Sequence, residues 1–346
     1  MLTVIIGAGI VGLHTAQVLA ENGHEVYVLD EAPYLAEHTS GRNSGVIHSG
    51  IFYTTDSFKE KVCIEGNSKT YEWVKKLDVP FNPCGKWVVP EVGQENEIDS
   101  FFEKIIKLPI PQPKRFTASQ LARTEPALRK SDALFVPSTG IVDAAAYVKK
   151  LSQYLEEKGV SVILNCKVTA VKDNVLSTTR GDINYDFGIN SAGLFCDEIA
   201  ENCGLKNYSI RPCRGDYYLL NKNIIQKPVY HLPYIGAHGL GIHLTPTMDQ
   251  QILLGPNAFF IDEKKDYAHH SRVEPFEKAV RFYLPTLKSF ELHPAYSGNR
   301  PKLYLDEKPL AEFVIKKEKN WIHYLGIESP GLTSAPVLAE EIKKLI

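Results

Sequence analysis

The chain opens on a short apolar, β-branched run, Leu2-Thr3-Val4-Ile5-Ile6, which predicts a buried parallel strand. At Gly7 the pattern changes. Apolar Val11, Ala16 and Leu19 fall near one face of a helix, and Asn22-Gly23 stops it. A second strand, Glu25 to Leu29, ends in Asp30-Glu31. Ala145, Val148, Leu151 and Leu155 predict a helix over Ala144 to Lys158, followed by a strand from Val160 to Leu164. Lys167 to Val171 with Val175-Leu176 reads as a hairpin-like region, and Asp186 to Gly193 as a strand ending in small residues. Strand-like runs then alternate over 210–296: Tyr217 to Leu220, Gly241 to Thr245 and Gln251 to Leu254. Phe276, Ala279, Val280 and Tyr283 mark an amphipathic helix from Glu274 to Tyr283. Trp321 to Leu325 closes the series as a strand, followed by a loop at 329–333 and a last helix from Val337 to Ile346.

Between the first strand and first helix lies Gly7-Ala8-Gly9-Ile10-Val11-Gly12, the spacing G-x-G-x-x-G. In this setting it is a dinucleotide-binding unit. Gly7 lets the chain turn, Gly9 lets the backbone approach a pyrophosphate, and Gly12 lets helix and strand pack. The helix amino terminus then offers N–H groups and a positive dipole end to phosphates. Asp30, about 20 residues beyond the first glycine, stands where a carboxylate accepts from a ribose. There is no second copy of the fingerprint. The unit alone does not separate NAD from FAD.

The 346 residues suggest roughly two domains, or one large interleaved unit. Lys and Arg number 39 against 41 Asp and Glu, a net charge of −2, so no basic excess points to nucleic acid. The six cysteines form no CxxC pair, which favours reduced thiols in a cytoplasmic protein, and no metal-ligand spacing stands out. No apolar run approaches the ~20 residues of a membrane span.

A second loop, Thr39-Ser40-Gly41-Arg42-Asn43-Ser44-Gly45-Val46-Ile47-His48-Ser49-Gly50-Ile51-Phe52-Tyr53, combines many backbone donors with little bulk, which suits a large planar cofactor. Here the chain resembles the D-amino-acid-oxidase-like superfamily of FAD-dependent oxidoreductases, and within it the L-2-hydroxyglutarate dehydrogenase/oxidase family. The amino-terminal fingerprint and residues 42–53 carry the resemblance, with Arg214-Gly215-Asp216-Tyr217-Tyr218, Gly241 to Pro246, Leu254 to Ala258 and Gly298-Asn299-Arg300-Pro301-Lys302, all in the family's order. The stretch Ile47-His48-Ser49-Gly50 also resembles FAD-dependent glycerol-3-phosphate dehydrogenases. Two places depart from the closer family: the loop Gly326 to Ser334, and Thr247, where some members carry a basic residue.

The resemblance implies FAD as cofactor and an α/β chain: a Rossmann-like FAD-binding domain (1–79, 140–209 and 297–346) interleaved with an α+β substrate domain built on an antiparallel sheet (80–139 and 210–296). It implies that Ala192 and Gly193 lie near the nucleotide, and makes Val168 either an adenine partner or a plain strand residue. Glu31, Thr39, Ser40, Asn43, Ser44, Gly45, Val46 and His48 join Gly7, Gly9, Ile10, Val11, Gly12 and Asp30 as candidate cofactor contacts. Gly331, Leu332 and Thr333, before the last helix, face the flavin in the resembled fold.

Oxidising a 2-hydroxy acid needs an electron acceptor, a cation for the carboxylate, a base for the hydroxyl and a shielded pocket. Arg300 is the candidate clamp, because a guanidinium binds a carboxylate through two bonds. Arg214 is either a second cation or a structural one. His243 is the favoured base and His48 a flavin or substrate contact, with the reverse assignment and a covalent flavin link at His48 as alternatives. His269-His270 reads as a solvated loop. Tyr53 and Tyr217 either contact substrate or pack as ordinary aromatics.

The expected activity is FAD-dependent oxidation of an L-2-hydroxy acid. Glycerol 3-phosphate dehydrogenation, amine or amino acid oxidation, and a flavin-binding module without catalysis are the alternatives. The expected partners are a small 2-hydroxy acid and an electron acceptor, which is oxygen, a quinone or another redox protein. A quinone would add peripheral membrane contact.

Overall fold

Leu2–Ile6 is a strand with Val4 and Ile5 fully buried, as its apolar pattern requires. The computed structural model describes residues 1–91, 93–233 and 241–346. The opening strand lies inside a six-stranded sheet, in the order Val314–Glu318, Trp321–Leu325, Phe187–Asn190, Leu2–Ile6, Glu25–Leu29, Ser161–Ile163. All neighbours run parallel except the Val314–Glu318 edge. Residues from the beginning, middle and end of the chain therefore meet in one sheet. Helices Ile10–Glu21 and Ala144–Glu157 pack against it through Leu13, Leu19, Val148 and Leu151. The hairpin expected after residue 167 is a three-stranded antiparallel meander, Val168–Lys172, Val175–Thr178 and Gly181–Asn184.

The second sheet is larger and mostly antiparallel. Its path runs Lys308–Leu310, Leu292–Leu305, Tyr208–Leu220, Ile252–Gly255, His243–Pro246, Val229–His231, Lys86–Val89, Ala133–Val136, Lys114–Phe116. The long strands Tyr208–Leu220 and Leu292–Leu305 pair over most of their length, which sets Cys213 opposite Arg300 and Asp216 opposite Ser297. The expected boundary at 296/297 falls inside the second of these strands, which runs unbroken in this sheet. Helix Glu274–Tyr283 lies where expected and buries Phe276, Val280 and Tyr283 in a core shared with Leu220, Ile252 and Leu254.

Two of the helices that differ from the sequence pattern bear on the site. The last one spans Gly331–Glu341 rather than beginning at Val337. Pro336 suggests a break, but it removes only its own N–H, and the first turn is closed by Ser334 N donating to Pro330 O at 3.0 Å. Residues 331–333 are thus the first turn of a buried helix, not a loop. Helix Phe58–Lys76, 19 residues long, is not signalled by an apolar stripe, because its buried face reads Val62, Gly66, Thr70, Val74. Gly66 faces the last helix so closely that a Cβ there would stand 2.3 Å from Thr333 O. Ser57 caps it by accepting from Glu60 N.

Candidate active site

The first glycine loop is shaped by its own packing. Gly7 has φ +107°, and a Cβ on Gly12 would meet Gly7 O at 2.0 Å. The Asp30 carboxylate accepts from Ala8 N at 2.8 Å and Ala32 N at 2.9 Å, so it ties the glycine loop to the end of the second strand. Ser40 Oγ accepts from Ile10 N at 3.0 Å, and a Cβ on Gly9 would stand 2.9 Å from that oxygen. Only a bare backbone leaves this surface open.

Two cavities meet there. The first, about 450 Å³, is lined by Gly7, Gly9, Asp30, Glu31, Val168, Ala192 and Gly193. The second, about 490 Å³, is lined by Ile10, Val11, Asn43, Ser44, Val46, His48, Gly331 and Leu332. Gly9, Thr39, Ser40, Ser191 and Gly193 line both. Two chambers joined at a glycine loop on a helix amino terminus fit a dinucleotide, with its phosphates at the junction. Three expected contacts stand behind this surface. Gly12 is a packing position. Gly45, with φ +63°, lies against Val142 O. Thr333, fully buried, accepts from His48 N at 2.9 Å. Asn43 also braces the loop: its side chain donates to Thr39 O and Ser40 O and accepts from Gly45 N.

The second cavity also gathers Tyr53, Tyr217, His243 and Arg300. Arg300 donates to Asn257 O at 3.2 and 3.3 Å and has no carboxylate partner among the described residues. Arg214 differs. It is fully buried, paired with Asp266, and lines neither cavity, which makes it structural. Asp216, the acid of the Arg214–Tyr218 motif, accepts from Ser271, Ser297 and the backbone of 270–271.

His243 is 4% exposed. Its Nδ1 lies 3.0 Å from Gly241 O, a group that only accepts, so Nδ1 carries the proton. Nε2 then presents a lone pair, and it is buried without a partner among the described residues. Burial holds the ring well below the ordinary histidine pKa, the Gly241 bond opposes this, and His231, His48 and Lys86 add to it. The ring stacks on Tyr230, 3.9 Å between centroids. His48 is held down to about 3, by burial first and Lys86 second. Its Nε2 is 3.3 Å from Ser329 Oγ, which lies 3.4 Å from the Tyr53 hydroxyl. Burial pushes the Tyr217 hydroxyl up to about 12, while Arg300 and Ser44 pull it back. Of the two histidines read as solvated, His270 is exposed, but His269 reaches Tyr217 O at 3.1 Å and packs on Tyr218.

Several lining residues escaped the sequence pattern. Lys59 and Lys302 both bond Glu328, at 3.1 and 2.8 Å. Burial alone would raise the Glu328 pKa, but Lys59, Lys302 and Arg300 hold it below the usual range. Thr247, the other departure from the resembled family, sits in the turn before Ile252–Gly255 and lines neither cavity. Tyr34, 70% exposed, lines the first cavity. Tyr230 lines the second. Lys302 and Ser329 lay inside stretches the sequence singled out, whereas Lys59 and Tyr230 carried no local signal.

The family model described as FAD-dependent oxidoreductase (DAO) matches residues 3–345. The chain is 30% identical to the mitochondrial L-2-hydroxyglutarate dehydrogenase of Arabidopsis thaliana, over 98% of this chain and 82% of that one. It is 27% identical to the L-2-hydroxyglutarate dehydrogenase of Escherichia coli K12, over 99% and 92%. Among solved structures, L-alpha-glycerophosphate oxidase from Mycoplasma pneumoniae with FAD bound superposes with a TM-score of 0.85 at 21% identity, covering 99% of this chain and 94% of that one. Glycine oxidase from Geobacillus kaustophilus does so with 0.85 at 16%, covering 99% and 93%.

Proposed function

Because the chain belongs to the DAO family of FAD-dependent oxidoreductases, we propose that it oxidises an L-2-hydroxy acid, with L-2-hydroxyglutarate as the leading substrate and 2-oxoglutarate as the product. One observation carries this reading: a guanidinium without a carboxylate partner and an imidazole Nε2 without a donor line the same cavity, at the flavin end of the cofactor path.

Bound FAD supplies, at N5, the acceptor for the hydride that leaves C2 of the substrate. Arg300 grips the C1 carboxylate and fixes its angle as well as its place. The His243 Nε2 lone pair accepts the hydroxyl proton as the hydride departs, so the alcohol becomes a ketone. A five-carbon diacid also needs a cation for its distal carboxylate. Lys59 and Lys302 share the single carboxylate of Glu328, so two ammonium groups at that wall stand against one ion-paired acid. Glu312, on the same wall, is spent on the first-turn N–H groups of Phe58 and Lys59. His48, with Ser329 and Tyr53, provides polar contact to flavin or substrate, and Tyr217 lines the substrate side. In this reading segments 1–79, 140–209 and 297–346 chiefly serve the cofactor and 80–139 and 210–296 the substrate, with Arg300 and Lys302 reaching the substrate from the strand that crosses the 296/297 boundary. The reduced enzyme passes its electrons to oxygen, a quinone or another redox protein. No helix among the described residues is long and apolar enough to cross a membrane.

A dye-coupled turnover assay tests the substrate. The L enantiomer of 2-hydroxyglutarate should turn over, while its D enantiomer, glycerol 3-phosphate and glycine should not. Preference for glycerol 3-phosphate or glycine would overturn the substrate reading and leave the family standing.

A further inference from the structure

Lys86 opens the strand Lys86–Val89 and is completely buried. Its Nζ has no hydrogen-bond partner among the described residues. Burying an ion without a partner is costly, so such a group calls for a compensating environment or a use. The environment is aromatic: Nζ lies 4.2 Å from the Phe52 ring centroid and 4.7 Å from that of Tyr230. These two rings stack on each other and line the substrate cavity, which Lys86 itself does not. Ring faces attract a cation without neutralising it. His243 stacks on the same Tyr230 ring, 3.9 Å between centroids.

We propose that Lys86 is a positioning residue for the base: its ammonium, sealed against the Phe52–Tyr230 wall, opposes a positive charge on the His243 ring and so keeps Nε2 open to accept the substrate's proton. This rests on the assignment of His243 as the base.

The surrounding groups leave that charge uncompensated. From helix Phe58–Lys76 Lys86 faces Cys63, whose thiol burial pushes up so that it stays neutral; Glu60, a turn before Cys63, accepts from Asp56 N. From the second glycine loop it faces His48, and from Val229–His231 it faces Tyr230, both neutral near pH 7. His243 faces His48, His231, Lys86 and the Gly241 carbonyl. Burial brings Lys86 down to about 7. As pH falls through neutrality Lys86 therefore takes up a proton before His243 does. Burial does most to keep the base free where an isolated histidine, at about 6.5, would be titrating away, and Lys86 adds to it.

The test compares wild type with Lys86→Met, which removes the charge and keeps the length, and Lys86→Arg, which keeps the charge. Two quantities are read: the acid limb of kcat/KM for the 2-hydroxy acid, and the His243 ring titration by histidine-labelled NMR of the holoprotein, assigned with His243→Gln. In Lys86→Met both should move to higher pH by about one unit, the size expected for a charge across one ring. Lys86→Arg should restore the wild-type limb. An unmoved limb and an unmoved ring titration in a folded Lys86→Met protein would overturn the inference. If His243→Gln keeps the wild-type rate and limb, the base assignment fails instead, and the ring titration still reports whether Lys86 governs His243.

Discussion

At the scale of single residues, the site is a matter of which polar groups are already satisfied. Arg214 and Arg300 face each other's strands in the same sheet, yet only Arg214 has a carboxylate. The difference marks Arg214 as structural and leaves Arg300 as the clamp proposed for a substrate anion. Replacing Arg300 with Met should raise KM for the 2-hydroxy acid by roughly 100-fold, about 3 kcal/mol for a lost charge-assisted pair. Lys302→Met should weaken L-2-hydroxyglutarate more than a 2-hydroxy acid with one carboxylate, because only the diacid uses that wall. Steady-state kinetics on the two substrates read both effects. Equal losses on both substrates in Lys302→Met would remove the lysines from the distal subsite.

The same scale shows what a sequence reveals and what it hides. The glycine fingerprint is legible because its neighbours in sequence are its neighbours in space, and Arg300 and His243, read as candidates from the motifs around them, line one cavity. Lys86 is not, because its site is assembled by strand pairing. Lys86–Val89 pairs parallel with Val229–His231, which pairs antiparallel with His243–Pro246. Three segments separated by long stretches of chain thereby come side by side, and no local spacing records that. The Lys59–Glu328–Lys302 group is hidden for the same reason.

At the scale of elements, glycine and small residues carry information that a search for apolar periodicity discards. Helix Phe58–Lys76 is built on Val62, Gly66, Thr70 and Val74, and its small positions let the last helix approach. Thr70 Oγ1 donates to Thr333 O at 2.9 Å, while Thr333 Oγ1 holds the His48 backbone. Helix contact and flavin loop are thus one unit. Gly66→Ala would place a methyl 2.3 Å from Thr333 O, so the helices must separate. The expected cost is about 1–3 kcal/mol of stability, seen as a lower Tm, together with weaker FAD retention on dialysis. An unchanged Tm would mean that the helices yield freely there. The parallel strands of the six-stranded sheet, by contrast, were legible to within a few residues, because buried parallel strands are largely apolar runs, whereas the antiparallel edge Val314–Glu318, more than half of it charged, carried no such signal.

At the scale of the molecule, a segment from the large sheet crosses to the nucleotide side. Lys265 pairs with Glu31 at 2.7 Å, Tyr267 bonds His38 at 2.8 Å, and Arg42 lies over the Tyr267 ring at 4.2 Å. The cofactor path therefore runs between two sheets that are also tied to each other.

A second property belongs to the whole chain. His14 and His48 are held down to about 3 and His323 to about 4, each chiefly by burial, and His243 is held well below its ordinary value. The unfolded chain binds protons at these sites from about pH 6.5 downward, whereas the folded chain does not until far lower pH. A depressed folded-state pKa contributes stability that is present above the unfolded value and lost on acidification. Thermal melts should show Tm falling steadily from about pH 6.5 toward pH 4. A Tm flat across that window would mean the four rings are already charged in the fold.

The central claim is that a chain of this family holds an L-2-hydroxy acid between Arg300 and His243 at the flavin. The most direct measurement is anaerobic mixing of the purified holoprotein with each enantiomer of 2-hydroxyglutarate while the flavin absorbance is followed. Bleaching within a single turnover by the L enantiomer, and none by the D enantiomer, is the predicted result. A flavin that stays oxidised with L-2-hydroxyglutarate, yet bleaches with glycerol 3-phosphate or an amino acid, would contradict the account.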